Sequence, residues 1–223
     1  MKYRLAVFDM DGTILDTLDD LTDSLNHVLD IFCMPRRTRR EVRSFMGNGI
    51  RRLIELGVPS GTPEDITDKV YLSFSDYYPD HCAIRTGPYP GILSLIDTLR
   101  RHGMQTAVVS NKVDCAVQLL CAQYFPDAFD AVAGEQPGIR RKPCPDAVNH
   151  VLSVLGIPRE EAVYLGDTEV DIRTAVNAGM DCIAVDWGFR DRSFLQGLHP
   201  TFLISSPEEA VRILLGCESV QTQ

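Results

Sequence analysis

The strongest constraint on the fold is a repeated alternation of short apolar runs with helical patterns. The runs are continuous and bounded by polar residues, which is typical of strands buried on both faces. They lie at 5–8, 106–109, 131–133, 162–165, 182–185 and 202–204. Between them, apolar residues recur at i, i+3, i+4 and i+7, as from Ile92 to Leu99 and from Val148 to Leu155. This alternation predicts an α/β fold with a mostly parallel sheet and helices on both of its faces.

One section, from Leu18 to about Ala83, departs from this alternation because it contains only helical patterns. Thr38 and Glu41 have the spacing of a capping box that opens one of these helices. We therefore predict an all-helical insert at 16–84 and a core formed by 1–15 and 85–215. The polar segment 216–223 is predicted to be a disordered tail.

Composition narrows the class of protein. Hydrophobic residues make up 44% of the 223 residues and the formal net charge is -9, so nucleic acid is not expected as a partner. The apolar runs are too short for a signal peptide or a membrane span, which predicts a cytoplasmic protein without membrane partners. The arginine-rich segment 36–43 could steer anionic substrates, but a solvated helix face is favoured because no aromatic residues interleave it.

Polar residues follow several of the predicted strands. In open parallel sheets the ligand crevice lies beyond the carboxyl ends of the strands, so these residues should converge there. They are Asp9 and Asp11 after the first strand, Ser110 and Asn111 after the second, Lys142 past the third, and Asp167 and Asp171 after the fourth.

The charges of this group call for a cation. Like charges about 4 Å apart repel by roughly 4 kcal/mol at an effective dielectric near 20. Carboxylate oxygens without histidine or thiolate suit a hard divalent ion, and Mg²⁺ fits best. The five histidines are scattered and show no zinc-binding spacing.

Asp9 and Asp11 have the spacing of a reactive pair. Residues two apart in extended chain point the same way, and Gly12 permits the tight turn that exposes them. One carboxylate can attack phosphorus while the other exchanges a proton, with a metal and Lys142 neutralising the phosphoryl oxygens. Ser110 would bind a phosphoryl oxygen through its hydroxyl.

Four motifs together carry a resemblance to the haloacid dehalogenase superfamily. They are D-x-D-G-T at 9–13, a strand-end Ser110, Lys142 before Pro143, and G-D-x-x-x-D at 166–171, in this order. The resemblance implies a Rossmann-like core with a helical cap inserted after the first motif. The founding dehalogenases use a single aspartate without a second acid, because halide leaves unprotonated. The presence of Asp11 therefore indicates phosphoryl transfer rather than dehalogenation.

By this resemblance Asp9 is the nucleophile, Asp11 is the general acid and then the base, and Ser110 and Lys142 bind the transferring phosphoryl group. Mg²⁺ would be held by the side chains of Asp9 and Asp167 and by the backbone carbonyl of Asp11, with support from Asp171. Further substrate contacts are expected at Gly12, Thr13 and Asn111.

Within the superfamily the sequence is similar to phosphoglycolate phosphatases and their relatives. The segment G-N-G-I-R-R-L-I at 47–54 resembles their G-x-G-x-x-x-L-I signature, and Asn48 and Arg52 there are candidate substrate contacts. The resemblance implies a phosphatase of a small phosphorylated metabolite, with phosphoglycolate the leading candidate. A monomer or small homo-oligomer is expected.

Other functions stay open at this point. A phosphomutase, a pyrophosphatase or a nucleotidase could share these motifs, and a non-catalytic binding protein could keep the fold. A receiver-type signalling domain also phosphorylates an aspartate on a parallel sheet, but the helical insert disfavours it.

Overall fold

The computed structural model describes residues 2–216, so the predicted tail from 217 onward lies outside the described residues. Six parallel strands form one sheet in the order β5-β4-β1-β6-β7-β8. Their bounds are β1 Leu5–Phe8, β4 Gln105–Val113, β5 Ala131–Glu135, β6 Ala162–Gly166, β7 Asp181–Val185 and β8 Phe202–Ile204. The predicted α/β fold is confirmed, since each predicted apolar run lies in one of these strands.

Helices pack on both faces of the sheet, and the central strand β1 is therefore buried on both sides. Ala6 and Phe8 of β1 pack into one apolar cluster, whereas Leu5 and Val7 pack into the other. The helices that follow the insert are α5 Ile92–Arg101, α6 Asp114–Tyr124, α7 Asp146–Leu155, α8 Glu169–Ala178, α9 Arg192–Gln196 and α10 Pro207–Leu215. Strand β1, which Asp9 directly follows, lies in the middle of the sheet.

Between residues 18 and 77 the chain is mainly helical, as predicted. The helices are α1 Leu18–Ile31, α2 Arg39–Phe45, α3 Gly49–Gly57 and α4 Glu64–Tyr77. The capping box is confirmed, because the Thr38 hydroxyl accepts from the Glu41 backbone while the Glu41 carboxylate accepts from the Thr38 backbone. Two short strands, β2 Leu15–Asp16 and β3 Gly87–Pro88, pair antiparallel where the chain leaves and re-enters the sheet domain.

The structure differs from the sequence prediction at β4. Ser110 and Asn111 were expected after the strand, but β4 continues through them to Val113. The pairing with β5 changes register between Val109 and Val113, so these polar residues lie on the irregular last part of the strand. A register irregularity of this kind breaks the apolar pattern from which the strand end was predicted.

No helix within residues 2–216 is a candidate for a membrane span. None of the helices there combines the length and the apolar character that a bilayer crossing requires.

Asp20 on α1 holds the segment that returns from the insert. Its carboxylate is 3% exposed and accepts from the backbone N–H groups of Ile84, Arg85 and Thr86 at 2.9–3.0 Å. We expect Asp20→Ala to lower the free energy of unfolding by about 2–4 kcal/mol, because three backbone N–H groups lose a buried, charged acceptor.

Urea denaturation would measure this loss. Asp23→Ala is the matched control, since Asp23 lies on the same helix, is exposed, and pairs with the Arg85 side chain at the surface. Equal losses in the two variants would show that the buried carboxylate of Asp20 has no special role.

Candidate active site

The structure brings Asp9 and Asp11 to one small cavity at the end of β1. Asp9 directly follows the strand, and its N–H donates to the Leu165 carbonyl at 2.8 Å. A cavity of about 30 Å³ adjoins both carboxylates and Ser110. A space of this size holds water molecules and is small for a phosphoester.

The cavity is covered by the helical insert. Its walls on that side are Met46, Gly47, Gly49 and Ile50. Asn48 and Arg52, the predicted substrate contacts, do not line the cavity. They lie along an adjoining groove with Arg141, and Arg52 pairs with Glu55 at 3.0 Å.

Gly12 and Thr13 place the turn after β1 against Asp167. Gly12 has a φ of +88°, and a Cβ at this position would overlap the Asp167 carboxylate. The Thr13 hydroxyl donates to Asp167 Oδ1 at 3.2 Å, and the Phe189 N–H donates to Oδ2 at 2.6 Å. Gly12 and Thr13 therefore contact the Asp167 carboxylate and do not line the cavity.

Lys142 is buried among acidic side chains. Its Nζ donates to Asp9 Oδ1 at 2.6 Å, to Asp171 Oδ1 at 2.7 Å and to the Tyr164 hydroxyl at 3.0 Å. Burial alone would lower the pKa of Lys142, but the adjacent Asp171 and Asp9 charges hold this pKa well above its usual value. Lys142 is therefore a fixed positive charge against Asp9.

Asn111 lines the cavity, and its side chain also binds the backbone of Lys142. Its Oδ1 accepts from the Lys142 N–H at 2.8 Å and its Nδ2 donates to the Lys142 carbonyl at 3.1 Å. Both polar atoms of this side chain are thus used to hold the segment that carries the lysine.

Three carboxylates form a compact buried cluster. Asp9, Asp167 and Asp171 each place one oxygen within 4.8 Å of the others. Burial raises the pKa of Asp9 to about 7, although Lys142 opposes this rise. Burial also raises the pKa of Asp167 well above its usual value, and the charges of Asp171 and Asp9 add to the shift.

Asp171 supports this cluster from α8. Its Oδ2 accepts from the backbone N–H and the hydroxyl of Thr168, while its Oδ1 contacts Lys142. Asp171 thus both caps its own helix and orients the lysine.

The arginines of segment 36–43 are largely paired within the chain. Arg36 binds Asp30, Arg39 binds Asp19, and Arg43 donates to the Gly188 carbonyl at 2.9 Å. These contacts fit a solvated helix face, and Arg43 additionally joins α2 to the loop that carries Phe189.

Sequence reasoning missed the ion pair of Lys112. Its Nζ donates to Asp11 Oδ1 at 3.0 Å and to the Tyr78 hydroxyl at 2.6 Å. Burial lowers the pKa of Lys112, yet Asp11 and Tyr78 more than offset this and raise it above the usual value. The available signal was the position of Lys112 next to Ser110 and Asn111, because residues that follow the strands of a parallel sheet converge on its ligand crevice.

Family comparison agrees with this geometry. Residues 6–185 match the model of the family described as haloacid dehalogenase-like hydrolase. A phosphoglycolate phosphatase from Mesorhizobium japonicum is 32% identical over 209 residues, covering 92% of each chain. Phosphoglycolate phosphatase 1 from Pseudomonas aeruginosa is 31% identical and covers 96% of this chain and 79% of its own.

A solved structure is similar over nearly the whole chain. A crystal structure of a protein from Lactobacillus delbrueckii subsp. bulgaricus superposes with a TM-score of 0.92 and 41% identity. The match covers 97% of this chain and 100% of the other. The arrangement of sheet and insert is therefore shared with an experimentally determined structure.

Proposed function

The chain belongs to the haloacid dehalogenase-like hydrolases and is a phosphatase, and from this premise we propose that it hydrolyses a small phosphorylated metabolite through an aspartyl-phosphate on Asp9. Phosphoglycolate is the leading substrate, because relatives about 30% identical over most of both chains carry that name. The residues of this chain support the phosphoryl-transfer reaction directly, whereas the choice of substrate rests on the relatives.

One observation carries the proposal: Asp9 and Asp11 line the same cavity while Lys142 binds Asp9 at 2.6 Å. A solvated pair of aspartates at a turn would need neither a buried lysine nor a cover. Paired carboxylates beside a fixed cation fit nucleophilic attack on a phosphoryl group.

In the first step a carboxylate oxygen of Asp9 attacks phosphorus and the bond to the leaving oxygen breaks. Asp11 gives its proton to that oxygen, so that an alcohol departs. Lys142 offsets negative charge between the carboxylate and the phosphoryl oxygens, and Ser110 offers its hydroxyl to one of those oxygens.

In the second step Asp11, now a carboxylate, takes a proton from water as the water oxygen bonds to phosphorus. The bond between phosphorus and Asp9 breaks, which releases phosphate and regenerates both carboxyl groups. One residue thus serves as acid and then as base across the two half-reactions.

The acidic cluster fits a hard divalent cation. Three buried carboxylates face one another with a single lysine among them, and oxygen donors of this kind suit Mg²⁺. We propose that Asp9, Asp167 and the Asp11 backbone carbonyl would hold it, with Asp171 in support. When bound, Mg²⁺ would supply positive charge to the phosphoryl oxygens.

We also propose that residues 16–84 act as a cap over a core of 1–15 and 85–215. Contacts between the two parts support this role, since Arg190 donates to the Met46 carbonyl at 2.8 Å and Arg43 donates to the Gly188 carbonyl. Opening of these contacts would admit the substrate, and closure would exclude bulk water.

Phosphate release from a panel of phosphoesters tests the proposed function. The panel contains phosphoglycolate, pyrophosphate, nucleoside monophosphates and sugar phosphates, each assayed with Mg²⁺ or with EDTA. We expect turnover with Mg²⁺ only, and sustained release without a bisphosphate activator, which a mutase would need. A folded protein without turnover on any of these compounds would refute a phosphatase of small metabolites.

The raised carboxyl pKa values predict how stability depends on pH. Without metal, the folded protein retains protons on Asp9 and Asp167 that the unfolded chain releases above about pH 4. Unfolding then releases protons, so stability falls from pH 4 to pH 7, by about 1.4 kcal/mol per pH unit for each proton.

Melting temperatures in EDTA would therefore fall between pH 5 and pH 8, and Mg²⁺ would raise them more at pH 8 than at pH 5, because fewer protons compete with the cation for these carboxylates at the higher pH. Asp167→Asn should remove most of this Mg²⁺ effect, while the exposed Asp97→Asn should keep it. A Mg²⁺ effect that is equal at both pH values would contradict the assignment of the cluster.

A further inference from the structure

Lys112 is a buried cation in the wall of the cavity, and the proposed mechanism does not use it. It lies on β4, is 3% exposed, and lines the same cavity as Asp9 and Ser110. Asp11 is the carboxylate within ion-pair distance of its Nζ among residues 2–216. A buried ammonium that is not needed to hold the phosphoryl group requires an explanation.

The contacts of Lys112 leave donor capacity at the cavity. An ammonium group has three N–H donors. One is used by the Tyr78 hydroxyl at 2.6 Å, and the two contacts to Asp11, at 3.0 and 3.3 Å, are compatible with one shared N–H. Within the described part of the chain, no other acceptor contacts this Nζ.

The position of Lys112 relates it to the leaving group rather than to the phosphoryl group. Lys142 is the lysine that binds Asp9, whereas Lys112 binds Asp11, the proposed acid for the leaving oxygen. Asp11 must contact that oxygen in order to protonate it. The Lys112 ammonium lies 3.0 Å from the Asp11 carboxylate, so it is close to the leaving-group atoms one or two bonds beyond that oxygen.

We propose that Lys112, held in place by the Tyr78 hydroxyl, forms a subsite for a carboxylate attached to the carbon that bears the phosphoester oxygen. The substrate class would then be the O-phosphorylated 2-hydroxy carboxylates, and this inference rests on the proposed function. An anionic group at this point gains a charge-assisted hydrogen bond in a site shielded from water, which an uncharged leaving group cannot form.

The subsite also links specificity to the covered state of the cavity. Lys112 comes from the sheet, while Tyr78 directly follows α4 of the insert and is itself buried. The Tyr78 hydroxyl holds the Lys112 ammonium only when these two parts are together, so a leaving group that binds Lys112 would favour the covered state.

The first test compares two substrates of the wild-type protein with Mg²⁺. In 2-hydroxyethyl phosphate a hydroxymethyl group replaces the carboxylate of 2-phosphoglycolate, at similar size. We expect kcat/KM for 2-phosphoglycolate to be higher by about 10- to 100-fold, the value of a hydrogen bond to a charged group. Equal values for the two substrates would overturn the proposal.

The second test changes the lysine. Lys112→Met should reduce kcat/KM for 2-phosphoglycolate by at least about 10-fold more than for 2-hydroxyethyl phosphate. Lys69→Met, at an exposed lysine of α4, is the matched control and should alter neither value. Losses by Lys112→Met that agree between the two substrates within about 3-fold would show that the lysine only positions Asp11, and would refute the subsite.

A binding measurement separates this inference from the proposed function. Calorimetry with the Asp9→Asn protein in Mg²⁺ measures the affinity for each of the two compounds without turnover. We expect tighter binding of 2-phosphoglycolate, and loss of that preference in the Asp9→Asn, Lys112→Met protein. If wild type hydrolyses neither these two compounds nor any other phosphoester of the panel, the proposed function fails, and this preference still decides whether Lys112 binds a carboxylate.

Discussion

Replacing Asp9 by asparagine is expected to lower the rate of phosphate release by at least about 10³-fold, because the amide cannot form the bond to phosphorus. The substitution is nearly isosteric, and Lys142 keeps its contacts with Asp171 and Tyr164. It also removes a buried carboxylate whose pKa is raised by burial, so the metal-free protein should not become less stable.

Steady-state assays on the best substrate of the panel would measure this loss. Asp97→Asn is the control, since Asp97 pairs with Arg101 on the outside of α5 and should keep full activity. Residual activity of Asp9→Asn within about 10-fold of wild type would exclude Asp9 as the nucleophile.

The second large effect is expected at Lys142. Lys142→Met removes the cation that contacts both Asp9 and Asp171, and we expect kcat/KM to fall by about 10²- to 10³-fold. Removing one partner of a buried ion pair also costs about 3–5 kcal/mol of folding free energy, because the remaining charge is uncompensated.

Two measurements distinguish these effects for Lys142→Met. Urea denaturation in EDTA gives the stability loss, and assays at a temperature where the variant is folded give the loss of activity. Lys69→Met should leave both quantities unchanged, since its lysine forms an exposed pair with Asp65. A Lys142→Met protein with wild-type kcat/KM would show that the lysine has only a structural role.

The order of strands and helices could be predicted because it depends on local patterns. Strands of this sheet are buried on both faces, so each appears as an uninterrupted apolar run, and each helix shows its own period. The grouping of Asp9, Asp11, Lys142 and Asp167 also follows from the sequence, since all four lie past the ends of parallel strands.

Contacts between distant segments could not be predicted in this way. Lys112 and Tyr78 are 34 residues apart, and their hydrogen bond depends on how the insert rests on the sheet. The same holds for Asn48 and Arg52, since a helix pattern does not specify which side chains of α3 face a cavity on another part of the chain. Strand β4 extends past its apolar run because pairing with β5 resumes after a register change.

Trapping the phosphorylated enzyme tests directly whether Asp9 forms a covalent intermediate. Wild type and Asp11→Asn are mixed with the best substrate and Mg²⁺, quenched in acid within one turnover, digested and analysed by mass spectrometry. We expect one added phosphoryl group on the peptide that contains Asp9, and slower loss of that group in Asp11→Asn, because the base for the second step is missing. Phosphate release by wild type with no phosphoryl group on that peptide in either protein would contradict a covalent intermediate on Asp9.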